Sequence, residues 1–182
     1  MKAGVSSDTL KGALTLLDGE LAKVNEFRSL VVCGGGALSV MGVISRETRD
    51  LDVITPDIDP VLLSAAQVIA AKLGLDREWL NNGPSGFIKD LESYWELRTQ
   101  VIFEGSFLVV KSLGRRDLLA TKLQGLCDRD ENDLEDILFL KPTVQEIESL
   151  RTWLLQRDAS VYWPERVDSQ LSKLVGRIAH GK

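Results

Sequence analysis

The segment that most constrains this chain is VVCGGGALSVMGVISRETRDLDVITP, residues 31–56. The run SLVVC at 29–33 reads as a buried strand. It runs into Gly34, Gly35 and Gly36, where a short helix starts. Glycine has no Cβ, so an anion can come close to the backbone, and the amides that open a helix point at it. DLDVI at 50–54 reads as a second strand, ended by Thr55-Pro56. Side chains alternate along a strand. Thr48, Asp50 and Asp52 are therefore expected on one face, and Leu51 and Val53 on the other. Two carboxylates on one face repel each other unless a cation sits between them. Magnesium accepts one or two protein carboxylates together with substrate phosphates. The pattern thus suggests phosphate on the glycines and metal on the acids. The plainer alternative is a tight turn followed by an edge strand with a solvated acidic face. A dinucleotide fingerprint has similar ingredients. Here Ser39 replaces its third small residue, Gly42 interrupts the helix, and the acids open the strand where a ribose-binding acid would close one.

The rest of the chain frames this segment. Leu10, Leu14, Leu17, Leu21 and Val24 recur at steps of three and four, which predicts an amphipathic helix over 7–27, capped by Ser7 or Asp8. Residues 60–73 predict a second helix closed by Gly74. NNGPSG at 81–86 reads as a loop. LRTQVIF and FLVVKSL, joined at Glu104-Gly105, read as a hairpin. Beyond residue 115 the pattern is helical over 117–128, about 132–140, 143–157 and 164–179. The outline is an α/β (α+β) core with a small mixed sheet of about four strands and a helical C-terminal section. The expected domains are 1–115 and 116–182.

A second constellation lies in RRDLLATKLQGLCDRDENDLEDILFL, residues 115–140. Lys122 falls inside the apolar arc of its helix. Asp133 falls inside that of the next, flanked by Asp136. A charge in an apolar arc must find a partner or snorkel. One reading is a Lys122–Asp133 ion pair between the two helices. Another makes Asn132 or Asp133 an N-cap. In the third, Lys122 reaches phosphates and the acids orient it.

The string GGGALSVMG…SRETRDLDVI resembles the signature of minimal nucleotidyltransferases of the polymerase-β type. Its Arg-x-Thr-x-Asp-x-Asp form is similar to the AbiEii-like branch, which includes toxins of bacterial toxin–antitoxin systems. The resemblance covers about residues 29–56 and 112–140. It implies a metal-dependent transfer of a nucleoside monophosphate from a nucleoside triphosphate to a hydroxyl acceptor, such as tRNA or a protein. It also implies a cognate antitoxin as partner. Asp50 and Asp52 would be the catalytic metal ligands for Mg2+ or Mn2+. Gly35, Gly36, Arg46 and Thr48 would bind the nucleotide, Lys122 would serve the triphosphate, and Asp133 and Asp136 would support it. Enzymes of this type usually supply a third carboxylate from a later strand. LRTQVIF carries Gln100 instead, and Glu104 follows at its end, on a strand expected beside Asp50–Val53. The expectation is that Glu104, Asp133 or Asp136 approaches the pair. The alternative is a nucleotide-binding or partner-binding module without catalysis.

A net charge of −5 gives no general reason to bind nucleic acid, although Arg46, Arg49, Arg115 and Arg116 offer a local basic patch. Cys33 and Cys127 sit in apolar segments and read as buried thiols. No stretch reaches the length of a membrane span and no signal peptide pattern is present, so the expected location is the cytoplasm. His180 is the only histidine, close to the C-terminus. Of the four tryptophans, only Trp95, beside Tyr94, suggests a base platform.

Overall fold

The computed structural model describes residues 4–129 and 132–180. They divide into two compact units, the first ending at Gly114 and the second starting at Arg115.

The first unit is a mixed five-stranded sheet with helices on one face. Its strands are β1 (Arg28–Cys33), β2 (Leu51–Thr55), β3 (Leu80–Asn81), β4 (Gln100–Glu104) and β5 (Leu108–Ser112). The sheet order is β3-β2-β1-β5-β4. β1 runs antiparallel to β2 and parallel to β5, while β3 runs parallel to β2. Alternation decides the two faces. Leu30, Val32, Leu51, Val53, Leu108 and Val110 all point into one core. That core is closed by α1 (Ser7–Lys23) and α3 (Pro60–Leu73), which pack side by side. Between β1 and β2 lies α2 (Gly34–Val40).

Local chemistry sets these elements. α1 buries Leu10, Leu14, Leu17 and Leu21 on a single stripe. Its N-cap is Ser6, whose hydroxyl accepts from the Thr9 amide, so the cap falls just before the expected Ser7 or Asp8. α1 also stops at Lys23, four residues before the predicted end, where Asn25 turns to φ 54. In α3, Asp59 accepts from the amides of Val61 and Leu62, Pro60 opens the helix, and Gly74 closes it in the left-handed region. The same Asp59 takes the Arg28 guanidinium at 2.7 Å, tying the start of β1 to the start of α3. Asp18 of α1 accepts the amides of Phe107 and Leu108 at 2.7 and 2.8 Å and so fixes the start of β5.

Two expectations are corrected here. The sheet has a fifth strand, β3, too short for periodicity to reveal. The hairpin forms, but β4 is not beside β2. It lies three strands away, at the opposite edge.

The second unit contains α4 (Arg115–Arg129), α5 (Asn132–Leu140), α6 (Val144–Ser149), α7 (Arg151–Leu155) and α8 (Trp163–Ala179). The single helix expected over 143–157 is two, broken at Leu150. Thr143 caps α6 in a reciprocal box with Glu146. Arg115 binds Glu146 and the Lys141 carbonyl, and Arg116 binds Ser149, so two of the four arginines of the expected basic patch are engaged inside this unit. The suggested capping by the Asn132 side chain lies outside the described residues. Among the described residues, no helix is long and apolar enough to cross a membrane.

Asp18→Ala removes two hydrogen bonds to a carboxylate and strands two amides. It is expected to destabilise the protein by about 2–3 kcal/mol in denaturant melts. In the second unit, the hydrogen bonds from Arg115 and from the Thr143 amide hold the Glu146 carboxyl down at about 2, below its ordinary 4.5. The contact therefore contributes fully above the ordinary value and is lost as pH falls towards 2. Carboxylate NMR should show this low titration, and Arg115→Gln should move it back up.

Candidate functional site

The glycines and the acids meet because α2 packs on the start of β2. Gly34 has φ +74, a conformation that favours glycine, and a Cβ there would run into the Asp52 carboxylate. A Cβ on Gly36 would collide with the Asp50 carbonyl and crowd Leu51. Gly35 faces Arg46, with a guanidinium nitrogen 3.4 Å from where its Cβ would stand, and the Thr48 methyl at 3.5 Å. Asp52 and Arg46 thus flank the first turn of α2, one carboxylate and one guanidinium over neighbouring glycines. Within the sheet, Asp52 pairs with Cys33 on one side and Asn81 on the other. Its side chain is half-buried on the face away from the α1–α3 core, while Leu51 and Val53 are fully buried on the core face.

The expected strand face shared by Thr48, Asp50 and Asp52 does not form: β2 starts at Leu51, so neither Thr48 nor Asp50 is on the strand. Thr48 instead exchanges both backbone hydrogen bonds with Val5, at 2.7 and 3.0 Å. Its hydroxyl is enclosed and, among the described residues, has no hydrogen-bond partner. Thr48 therefore lies behind Arg46 and Gly35 and not on an open surface. Asp50 is half-buried and lines a cavity of about 480 Å³ with Arg49, Asp76, Glu78, Asn81 and Gly83.

Sequence reasoning missed Asp76, Glu78 and Asn81. The signal that could have found them is connectivity. A helix after β2 that returns a strand parallel to β2 places that strand beside it, and the residues entering β3 then lie next to Asp50.

In the second unit, Lys122 Nζ stands 2.7 Å from Asp133 Oδ1 and 2.7 Å from Asp136 Oδ2. The side chains are 12, 15 and 0% exposed, so this is a largely desolvated ion triad. Burial pulls the Lys122 pKa down, but the hydrogen bonds and charges of both aspartates outweigh it and raise the pKa above its ordinary value. The interhelical ion pair read from the sequence is present, with Asp136 as a second acceptor.

The family model of nucleotidyltransferases of unknown function (DUF6036) matches residues 11–177. The chain belongs to this family. Comparison with curated proteins and with solved structures gives no match. Membership implies a nucleotide substrate and nucleotidyl transfer as the class of chemistry.

From the sequence, Glu104, Asp133 or Asp136 is expected to approach the acid pair as a third carboxylate. Glu104 is not it: three strand spacings put it about 14 Å from β2. Asp133 and Asp136 hold Lys122 in the second unit. Among the described residues, no group of three or more His, Cys, Asp or Glu side chains could hold a metal by itself. Two carboxylates with phosphate oxygens still suffice for magnesium.

The remaining candidates are structural. Trp79 is fully buried and donates to the Ala66 carbonyl. Trp163 donates to the Leu154 carbonyl, and Arg157 stacks 4.7 Å over Trp153. Trp95 is buried too, so it offers no stacking surface beside the exposed Tyr94. Neither cysteine is in a disulfide, and burial pushes the Cys127 thiol up to about 11.

Gly36→Ala must push the β2 backbone away, which is expected to cost about 1–3 kcal/mol as overpacking does. Lys122→Met leaves two buried aspartates without their cation. It is expected to cost roughly 3–5 kcal/mol in chemical denaturation.

Proposed function

We propose that the chain is a metal-dependent nucleotidyltransferase of the AbiEii-like kind. It transfers a nucleoside monophosphate from a nucleoside triphosphate to a hydroxyl acceptor and releases pyrophosphate. The observation that carries this reading is the placement of Asp52 against Gly34 and of Arg46 against Gly35. One flank of a glycine turn then offers a carboxylate for a cation, and the other a guanidinium for phosphate. The donor set suits Mg2+ or Mn2+: hard oxygen ligands, few in number, beside a turn where a Cβ would fill the space. Asp50 and Asp52 would hold the ion. Bound there, it would neutralise the phosphates and polarise the phosphorus under attack. Arg46 orients the triphosphate and Gly35 leaves room for it, while Gly34 lets the Asp52 carboxylate come close. Gly36 serves first by letting β2 come close. Lys122, as a cation gripped by Asp133 and Asp136, is assigned mainly to holding α4 on α5. A cytoplasmic toxin restrained by a cognate antitoxin is the biological setting this reading favours.

The second reading is a nucleotide-binding module without turnover. The lack of a three-ligand metal cluster among the described residues favours it.

The test begins with thermal melts. Magnesium with a triphosphate should raise the melting temperature, as ligand binding to the native state does. Asp52→Asn should remove that gain and leave the empty protein at least as stable. An unchanged metal-dependent gain in the variant would sink the site. Incubation with each α-labelled triphosphate, magnesium and total cell RNA and protein then separates the readings. Transferred label supports the transferase, and binding without release of pyrophosphate supports the module.

A further inference from the structure

α3 carries more apolar surface than the core of its unit uses. Apart from Ser64, Gln67 and Lys72, its residues are apolar on every side. A helix of that kind is normally buried all round. Leu62, Ala66, Ile69 and Ala70 do face the core. On the opposite side Val61 and Val68, seven residues apart, are 39 and 49% exposed. Ser64 and Ala71 are exposed with them, so this outer face recurs at steps of three, four and three. That is the spacing of a seam between packed helices. α1 presents a face of the same spacing. Gly12, Thr15, Gly19 and Ala22 are exposed on the side away from its buried leucines. Glycine weakens a helix interior. A Cβ on Gly12 or Gly19 would meet nothing within 4 Å, so no neighbour among the described residues requires glycine at either place.

We infer that the apolar outer face of α3 docks on a second copy of this chain, in a two-fold dimer that sets α3 of each protomer against α1 of the other. The inference is independent of the transferase reading. Charge complementarity selects this occupant. Asp8 and Lys72 are both exposed, and among the described residues neither has an ion-pair partner. Asp8 opens the outer face of α1, and Lys72 closes that of α3. At the other ends stand Lys23, in the last turn of α1, and Asp57, just before α3. Each helix thus has its acidic end where the other, laid against it in the opposite sense, has its basic end. Opposite charges would then meet at both ends of the seam and fix its direction.

The fold supplies that direction. The Arg28–Asp59 contact brings the start of α3 to the end of α1, so the two helices lie side by side in opposite senses. A two-fold axis running along them leaves every residue at its own height. It carries α3 of one protomer over α1 of the other, and the reverse, as a self-complementary interface requires. Asp8 then stands at the level of the partner protomer's α3 end, where Lys72 is. Shape agrees with charge. The two valines have no hole to fill in their own chain, and the two glycines, also seven residues apart, leave holes that nothing fills. A lipid surface would cover the valines but would gain nothing from the glycines.

The test is sedimentation equilibrium of the full chain over a range of concentrations. A monomer–dimer equilibrium is expected, and a weak one, since two helix faces make a small interface. Val68→Glu puts a charge into the seam and should raise the dimer dissociation constant about tenfold or more. Gly19→Leu fills a hole and should weaken the dimer as much. It should also raise the melting temperature of the dilute monomer, because leucine suits a helix better than glycine. Asp8→Lys should weaken the dimer, and adding Lys72→Asp should restore it. If Val68→Glu melts early, Gly19→Leu carries the measurement. A chain that stays monomeric at every concentration overturns the proposal, whether the face then serves a different protein or none. So does a dimer that Val68→Glu and Gly19→Leu both leave unchanged, or a charge swap that fails to restore association.

Discussion

The contact on which the first unit depends is backbone against backbone: the Cα of Gly36 set on the Asp50 carbonyl. Any side chain at 36 would hold α2 off β2. With α2 held off, Asp52 would no longer rest on Gly34, and Arg46 would no longer lie over Gly35. A helix opening with three glycines is weak on its own, since each glycine costs up to about 1 kcal/mol relative to alanine. Packing makes up for that. Ala37, Leu38 and Val40 of α2 are buried, and the Ser7 hydroxyl of α1 donates to the Ser39 carbonyl at 2.8 Å. The segment before α1 adds the Val5–Thr48 pairing, which fixes the chain just after Arg46. This segment is thus gripped from two places, the start of β2 and the stretch from Val5 to Ser7.

The second unit solves a different problem. A lysine in an apolar arc between two helices must keep its charge satisfied, and two aspartates do so. The triad carries one negative charge more than its cation cancels. Such groups add little net stability over an apolar core, because desolvation offsets the attraction. They do penalise any arrangement that separates them, so they fix the register of α4 on α5.

Much of the fold was legible in the sequence because it follows from periodicity and caps. The leucines of α1, the Pro60–Gly74 bounds of α3 and the hairpin around Glu104 were all readable from spacing. What escaped depended on contacts between segments distant in sequence. Two residues of β3 carry no period, yet they bring Asn81 beside Asp52. Glu104 looked close to β2 because the hairpin was assumed to pair with it, but β5 pairs in parallel with β1 and carries β4 to the far edge. In the site, the spacing of glycines and acids was readable. That Gly36 serves packing, and that Thr48 is enclosed, became visible only with β2 and Val5 in place. The Lys122–Asp133 pair was readable from helical angles, while the depth of Asp136 was not.

Besides the left-handed Asn25 and Tyr94, several departures from local preference in the first unit gather at one end of β1 and β2. A positive-φ glycine opens a helix that lacks a side-chain cap. The Thr48 and Ser39 hydroxyls are buried and, among the described residues, unpartnered. Two acids stand at the mouth of an otherwise apolar strand. The enclosed hydroxyls work against the empty fold, since each loses hydrogen bonds that water would offer. Proteins break such rules mainly where function requires it. On the proposed reading, phosphate beside the α2 amides that no side chain caps would give those donors a partner. The glycine turn and the enclosed hydroxyls are then the cost of shaping that end of the sheet, a cost carried by the packing of α2 on β2.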